Sequence, residues 1–297
     1  MIRKVSVLIN MFANRDLRRC LGLLFLILAK LFKFRFNAHV ESQKVSMEIV
    51  YVVADKDLQV LPISIASLHH ITGIDITRIV LIARPGGSVE DFARDCNLVF
   101  VNENDILGFG TDKYVYPYSS GARSGWLYQQ MLKFGWSFKT QAQSYIVVDS
   151  DTVFVNDVSF FSAGKYHFFA STEWNPPYSL AYEKLLGEKD ESLWSYTAHM
   201  MIFDVYAVKV LLSSIGIRQG GSWHNAIANM RSVDPHSCFS EYHTYASWFI
   251  KHNPKKSYII PLYNKSLSPT EYLSQVNANS MRNLSTFSMH SYLRASR

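Results

Sequence analysis

Residues 144–155 read SYIVVDSDTVFV and combine a strand pattern with a pair of acidic residues. The run YIVV is continuously apolar and rich in β-branched residues, which is typical of a strand buried on both faces of a parallel sheet. It ends in Asp149-Ser150-Asp151, and a second β-rich run, TVFV, follows directly. The two carboxylates are therefore expected in a short turn at the carboxyl end of a buried strand, where open α/β sheets bind ligands.

Strand and helix patterns alternate on both sides of this motif. Strands are predicted at residues 47–54 (MEIVYVVA), 78–83 (RIVLIA), 98–101, 145–148, 166–170 and 200–203. Helices are predicted at residues 58–70, 89–96 and 121–138, whereas residues 173–194 are predicted to be irregular. This rhythm predicts an α/β fold with a mostly parallel central sheet and right-handed crossovers.

The first 36 residues differ from the rest of the chain in charge. They hold eight Lys and Arg residues and one acid, a net charge of +7, whereas the remainder has 22 basic and 23 acidic residues, a net charge of −1. A nucleic-acid-binding protein would carry its basic stripe on the folded domain, so we expect no nucleic-acid partner. We predict an N-terminal membrane-associating segment, residues 1–44, and a single α/β domain, residues 45–297.

The basic residues of the N-terminal segment flank apolar runs at residues 5–12 and 20–36. Only ten uninterrupted apolar residues precede Lys30, which favours a helix on an anionic membrane surface over a spanning helix. A true span, a cleaved signal peptide and a helix packed on the protein's own body are the alternatives. The predicted location is the cytoplasmic face of a membrane. The sequons at Asn264 and Asn283 leave a single-pass Golgi enzyme as the alternative.

The composition argues against several other classes. With 48% hydrophobic and 18% charged residues, the chain must bury a large core and is not a disordered protein. Its three cysteines lie far apart without a C-x-x-C pair, which argues against a disulfide framework or a thiolate zinc site. The sequence also lacks G-x-S-x-G, G-x-G-x-x-G and Walker A motifs.

Asp149-Ser150-Asp151 suits more than one kind of chemistry. Two carboxylates on a turn can face a hard divalent cation, and the cation would neutralise a diphosphate. The letters also match the D-x-D-x-[TV] of haloacid-dehalogenase-type phosphatases, in which Asp149 would be the phosphoryl nucleophile. That class needs a downstream acidic cluster, and none of the later aspartates stands in such a context. A non-catalytic carbohydrate- or nucleotide-binding module is a third alternative.

Over about residues 47–290, the chain resembles nucleotide-sugar glycosyltransferases of the GT-A type. The similar features are an acid after the first strand (Asp55), a helix containing RSGWLYQQMLKF, the strand end YIVVDSD, the later strand TAHMMIFD and a terminal FSMHSYL. The R-x-G-W-x-x-Q-Q helix and a later S-E-Y look especially like a poorly characterised bacterial group associated with surface polysaccharides. The resemblance implies a GT-A-like domain.

The same resemblance implies a donor site. Asp149 and Asp151 would hold a Mn²⁺ or Mg²⁺ ion that bridges the diphosphate, and His290 would be a further metal ligand. Asp55 would contact the ribose or base. The alternatives are a surface histidine on a tail for His290 and a helix cap before Leu58 for Asp55.

The helix before the acidic pair would complete the donor site. Arg123 would pair with a phosphate or with the donor sugar, because a guanidinium suits bidentate anion contacts. A salt bridge on a helix face is the alternative for Arg123. Gln130 would bind the nucleotide sugar, whereas Trp126 is either a core residue or a sugar platform.

An inverting transfer would also need a base that deprotonates the acceptor hydroxyl. Glu241 is the candidate, with His243 and Asp204 as weaker ones; the alternative for Glu241 is a first-turn acid favoured by the helix dipole. The predicted function is metal-dependent transfer of a sugar from a nucleoside-diphosphate sugar to a glycan or lipid-linked acceptor. Surface polysaccharide synthesis is the predicted setting.

Overall fold

The computed structural model describes residues 15–31, 44–114, 121–234, 236–268, 271 and 284–289. The helices are α1 (Arg15–Leu31), α2 (Leu61–Ala66), α3 (Ser88–Asp95), α4 (Glu103–Leu107), α5 (Gly121–Gly135), α6 (Pro176–Leu186), α7 (Val205–Gln219), α8 (Trp223–Asn229) and α9 (Glu241–His252). The strands are β1 (Val45–Val52), β2 (Ile71–Thr72), β3 (Ile74–Ala83), β4 (Val99–Asn102), β5 (Ser144–Val148), β6 (Thr152–Phe154), β7 (Val158–Ser159), β8 (Phe161–Ser162), β9 (Lys165–Ala170), β10 (Met200–Asp204), β11 (Ser257–Pro261), β12 (Asn264–Ser266) and β13 (Thr286–Ser288).

The central sheet has five strands in the order β10-β5-β1-β3-β4. β1, β3, β4 and β5 run parallel, and β10 pairs antiparallel with β5. The predicted α/β fold with a mostly parallel sheet is therefore confirmed. From β1 the chain first builds β3 and β4 on one side and then returns to β5 on the other. This reversal opens a crevice at the carboxyl ends of β1 and β5.

The centre of the sheet, β5 and β1 from Met47 onward, is buried on both faces, which explains its continuous apolar runs. Along β1, Val50 and Val52 belong to one core cluster, while Ile49 and Tyr51 belong to the cluster on the opposite face. Side chains alternate across a strand, so a strand covered on both sides needs apolar residues at every position. Helices α5, α7 and α9 cover the first face, and α2 and α3 cover the second.

The described part of the N-terminal segment is α1, which packs on the body. Arg19 reaches buried Asp190, with Nη2 3.3 Å from Oδ2, and its guanidinium lies over the ring of Trp174. Trp194 donates from Nε1 to the carbonyl oxygen of Gly22 over 2.9 Å. Packing on the protein's own body was an alternative for this segment, and a membrane surface stays a prediction. No helix within the described ranges is both long enough and apolar enough to cross a bilayer.

Two predicted segments were wrong. Residues 173–194 are not irregular throughout, because α6 occupies the middle of them. This helix begins with a proline pair, which suits a first turn, and ends at Gly187 with φ +69°. The helix predicted at residues 58–70 is shorter: α2 begins at Leu61, and its continuation, Ser67–His70, is a 3₁₀ turn.

Candidate functional site

The turn after β5 is held by the backbone of His199, which precedes β10. The amide of Asp149 donates to the carbonyl oxygen of His199 over 2.8 Å, and Thr152 closes the turn by donating to the carbonyl of Asp149 over 2.9 Å. His199 has φ +58°, a left-handed conformation that is uncommon for residues other than glycine. Such conformations persist where surrounding contacts impose them and often mark functional sites.

Asp149 is surrounded by hydrogen-bond donors. Lys133 donates to its Oδ1 over 2.6 Å, and the hydroxyl of Tyr242 donates to the same oxygen over 2.8 Å. Nδ1 of His199 lies 3.5 Å from Oδ2. Burial by itself would raise the pKa of Asp149, but the charges of Lys133 and His199 outweigh it and hold the pKa well below its usual range. Asp149 is therefore ionised at neutral pH.

Lys133 joins this carboxylate to a second one. Its Nζ also donates to Oε1 of Glu241 over 2.6 Å and to the hydroxyl of Tyr242 over 3.1 Å. Burial alone would lower the pKa of Lys133, but the charges of Asp149 and Glu241 raise it instead. Burial raises the pKa of Glu241, and the charge of Asp149 adds to the rise while Lys133 opposes it. One buried ammonium thus lies between two carboxylates.

These groups line a cleft of about 280 Å³. One wall is formed by Val52, at the end of β1, and by Lys56 and Asp57 in the 3₁₀ turn that follows it. The other walls are one face of α5, the turn at residues 149–151 and the start of α9. Strands β1 and β5 flank the crevice where the strand order reverses, so the cleft lies where the topology predicts a ligand site.

Four of the predicted site residues meet in this cleft: Asp149, Asp151, Gln130 and Glu241. Gln130 is buried, and its Oε1 accepts from the backbone amide of Glu241 over 3.0 Å. Its Nε2 is also buried and has no hydrogen-bond partner among the described residues. A buried donor of this kind in the wall of a cleft is suited to a ligand oxygen.

The other predicted residues do not meet there. Oδ1 of Asp55 accepts from the amide of Val89 over 3.3 Å, so its carboxylate caps the start of α3; the cleft is lined by its neighbour Asp57. The helix-cap alternative thus describes Asp55, although the capped helix is α3 rather than the one near Leu58. Its contact with a nucleotide stays a prediction.

Two predicted residues cannot be located at the site. Arg123 lies in the first turn of α5, but its side chain is outside the described part of the chain, and so is His290. The last described residue before His290 is Met289, whose amide donates to the carbonyl oxygen of Asp151 over 2.9 Å. The chain therefore passes beside the acidic turn immediately before His290.

The weaker base candidates have structural partners. Nε2 of His243 donates to Oδ2 of Asp190 over 3.0 Å, and Asp204 caps α7 by accepting from the amide of Ala207 over 2.8 Å. Neither residue lines the cleft.

Sequence reasoning missed Lys133, His199 and Tyr242. A signal for Lys133 was present, because Trp126, Gln130 and Lys133 follow one another at helical spacing and all line the cleft. His199 carried no such signal, because its position depends on the antiparallel pairing of β10 with β5. Within the described ranges, no three His, Cys, Asp or Glu side chains come together as a metal site.

The solved structures that are similar to the chain include two glycosyltransferases at low sequence identity. Mouse xyloside xylosyltransferase 1, in its apo form, is 8% identical with a TM-score of 0.47, over 84% of this chain and 99% of that chain. The galactosyltransferase LgtC, in complex with donor and acceptor sugar analogues, is 11% identical with a TM-score of 0.41, over 82% of this chain and 87% of that chain. No curated protein matches the sequence.

One family model matches, and it covers residues 48–271, from the first strand to beyond the last central helix. Its description is a family of unknown function, DUF6492. Because the match includes most of the chain and every cleft residue described above, the protein belongs to the DUF6492 family.

Proposed function

We propose that this protein transfers a sugar from a nucleoside-diphosphate sugar to a hydroxyl group of an acceptor. The observation that carries the proposal is the meeting of Asp149, Asp151, Gln130 and Glu241 in one cleft at the reversal of strand order. Acidic ligands suit a cation-bound diphosphate, a buried amide donor suits a donor oxygen, and a buried carboxylate suits the base of an inverting transfer. The resemblance of the sequence to GT-A glycosyltransferases points to the same reaction.

The donor diphosphate would bind with Mg²⁺ or Mn²⁺ at the acidic turn. Mg²⁺ is commonly held by one or two carboxylates together with substrate phosphates and water, so the two carboxylates of Asp149 and Asp151 fit this donor set. His290 follows Met289 and is proposed as a further ligand. The bound cation would supply positive charge that stabilises the departing nucleoside diphosphate.

Glu241 is the proposed base of an inverting transfer. A base must lie within reach of the acceptor hydroxyl and must have a pKa closer to neutrality than an exposed carboxyl has. Glu241 lines the cleft, and burial raises its pKa. Lys133 would position it, since the ammonium fixes Oε1 of Glu241.

The N-terminal segment would hold the enzyme at the cytoplasmic face of an anionic membrane. Leu17, Leu24 and Leu28 of α1 are 40–51% exposed, and the surrounding segment carries a net charge of +7. Apolar side chains beside basic ones favour interfacial binding. A membrane-held enzyme of this kind suits a glycan or lipid-linked acceptor and surface polysaccharide synthesis, and a Golgi enzyme remains the alternative location.

The test is a panel of nucleoside-diphosphate sugars in a thermal-shift assay with and without Mn²⁺. One donor should raise the melting temperature only with the metal, and Asp149→Asn and Asp151→Asn should abolish the rise. Asp157→Asn is the matched control, because Asp157 lies on the next loop and its side chain is 60% exposed. Turnover of the selected donor separates an enzyme from a binding module.

Two outcomes would overturn the proposal. Binding of a nucleotide sugar without any turnover would support a non-catalytic module. A covalent phosphate on Asp149 and no response to nucleotide sugars would support the phosphatase.

A further inference from the structure

A second cavity, of about 360 Å³, lies beside α1. Residues 170–173 and 261–264 line it, and they lie at and beyond the ends of β9 and β11. These strands run parallel, with Ala170 opposite Pro261, so their carboxyl ends open at the same edge. The second cavity therefore lies where these two strands end.

The lining of the second cavity has an apolar side and a polar side. α1 supplies Leu23, Leu26 and Ile27, whereas the loop after β9 supplies Ser171 and Glu173. Leu23 and Ile27 are 41% and 43% exposed even though they line the cavity. The helix thus presents an uncovered apolar wall, and burying an apolar chain against it is favourable.

The apolar wall is fixed to the body of the protein. Arg19 is bound to Asp190 and to the hydroxyl of Ser179, with Nη2 3.1 Å from Oγ. Gly22 lies against the carbonyl of Leu193, and an added Cβ would approach that oxygen to 2.9 Å. α1 is therefore a fixed wall of the second cavity.

The polar side of the second cavity adjoins the cleft that contains the acidic turn. Oε1 of Glu173 lies 4.0 Å from Nε2 of His199, and Nδ1 of His199 lies 3.5 Å from Oδ2 of Asp149. His199 lines the cleft, whereas Glu173 lines the second cavity, and the side chain of Glu173 is 55% exposed. A molecule that fills the second cavity therefore ends one ion pair away from the acidic turn.

We propose that the second cavity binds the apolar chain of a lipid-linked acceptor, whose sugar then lies at Glu173 and enters the cleft. This inference rests on the proposed glycosyl transfer and names its acceptor as an amphipathic molecule with one alkyl or polyprenyl chain. The occupant needs an apolar part for Leu23 and Ile27 and a hydroxyl-bearing part for the carboxylate of Glu173. A free oligosaccharide supplies only the second part, and an acyl chain without a polar head supplies only the first.

The test uses decyl β-glucoside below its micelle concentration, with methyl β-glucoside as the comparison, and the full chain. The decyl compound should bind about tenfold more tightly or better, because its chain becomes buried. Two photoreactive versions fix the orientation. A diazirine at the end of the chain should label residues 15–31, and a diazirine on the sugar should label residues 171–173.

Two double variants on the same helix separate the cavity from general adsorption. Leu23→Asp with Ile27→Asp should weaken binding about tenfold or more. Leu24→Asp with Leu28→Asp adds the same charge at residues that are 51% and 40% exposed and do not line the cavity. This pair alters the proposed membrane contact, but binding of the decyl compound, measured without a membrane, should be retained.

Equal losses in the two double variants, labels elsewhere, or no binding to the wild type would overturn the inference. Nucleotide-sugar stabilisation is measured on the same proteins and should be unchanged in both variants. A wild type that binds the decyl compound but no nucleotide sugar would overturn the glycosyltransferase proposal, and with it the acceptor role of the bound molecule.

Discussion

At the scale of single residues, the organising group is the buried ammonium of Lys133. It contacts Oδ1 of Asp149 and Oε1 of Glu241 at 2.6 Å each, so the two oxygens are neighbours with a cation between them. Without that cation, two carboxylates would face each other in a low-dielectric site, where like charges cannot both ionise without a large cost. Lys133 therefore holds the pKa of Asp149 down, opposes the rise in the pKa of Glu241 and fixes both carboxylates in position.

Lys133→Met should destabilise the protein by about 3–5 kcal/mol at pH 7, because it leaves buried carboxylates without their partner. The variant should be destabilised less at pH 5 than at pH 7. With its pKa raised further, Glu241 takes up a proton in the folded state and the repulsion disappears. Urea unfolding at the two pH values measures both effects. Lys139→Met, at an exposed position after the 3₁₀ turn that follows α5, should change stability by less than about 0.5 kcal/mol.

The stability that His199 contributes to the folded protein depends on pH in the alkaline range. Burial alone would lower its pKa, but the carboxylates of Asp149 and Glu173 raise the pKa to about 10. A raised pKa contributes stability that is fully present below the unfolded-state value of about 6.5 and is lost as the pH rises through 10.

His199→Asn removes this titration and keeps a residue that tolerates a left-handed backbone. The stability advantage of the wild type over this variant should therefore shrink between pH 6 and pH 10, as measured by urea unfolding. A constant difference over that range would contradict the assigned partners of His199.

At the scale of elements, the helix most open to a direct test is α1. Its Gly22 packs against the carbonyl oxygen of Leu193, a backbone atom that cannot move aside cheaply. Gly22→Ala should therefore expose α1 and raise its amide exchange rate, even though alanine favours helices by about 1 kcal/mol. Gly125→Ala in α5 is the matched control, because an added Cβ has no neighbour within 4 Å there. The control should leave exchange in α1 unchanged and stabilise the protein slightly.

The same scale shows what sequence patterns convey. β1, β5 and the buried end of β3, residues 80–83, were predictable because strands covered on both faces read as continuous apolar runs. α6 was not, because its proline pair and short length favour a loop when tertiary contacts are ignored. Burial of Ala181, Tyr182 and Leu185 in the core stabilises this helix.

The candidate site could be predicted only in part. The sequence pattern predicted that Asp149-Ser150-Asp151 follows a buried strand. Gln130 and Glu241 were predicted from their helices and from the family resemblance. The ion pairs of Lys133 could not be read from sequence, because a lysine on a helix is ordinarily exposed and only the packing of α5 against α9 buries this one.

At the scale of the whole molecule, the reversal of strand order and the acidic turn lie at the same cleft. The strand order reverses between β1 and β5, and the cleft at their carboxyl ends contains the acidic turn. The second cavity lies next to it, between the sheet edge of β9 and β11 and the apolar helix. A soluble donor in the cleft and a membrane-held acceptor in the second cavity would then meet at the ion pair of His199 and Glu173.

The most informative measurement is a crystal structure with Mn²⁺ and a nucleoside diphosphate, in which anomalous scattering locates the metal. The proposal predicts a single strong peak that contacts Asp149, Asp151 and the diphosphate oxygens at the turn after β5. A metal and nucleotide bound away from residues 149–151, or a diphosphate that binds at this turn equally well when Mn²⁺ is replaced by a chelator, would contradict it.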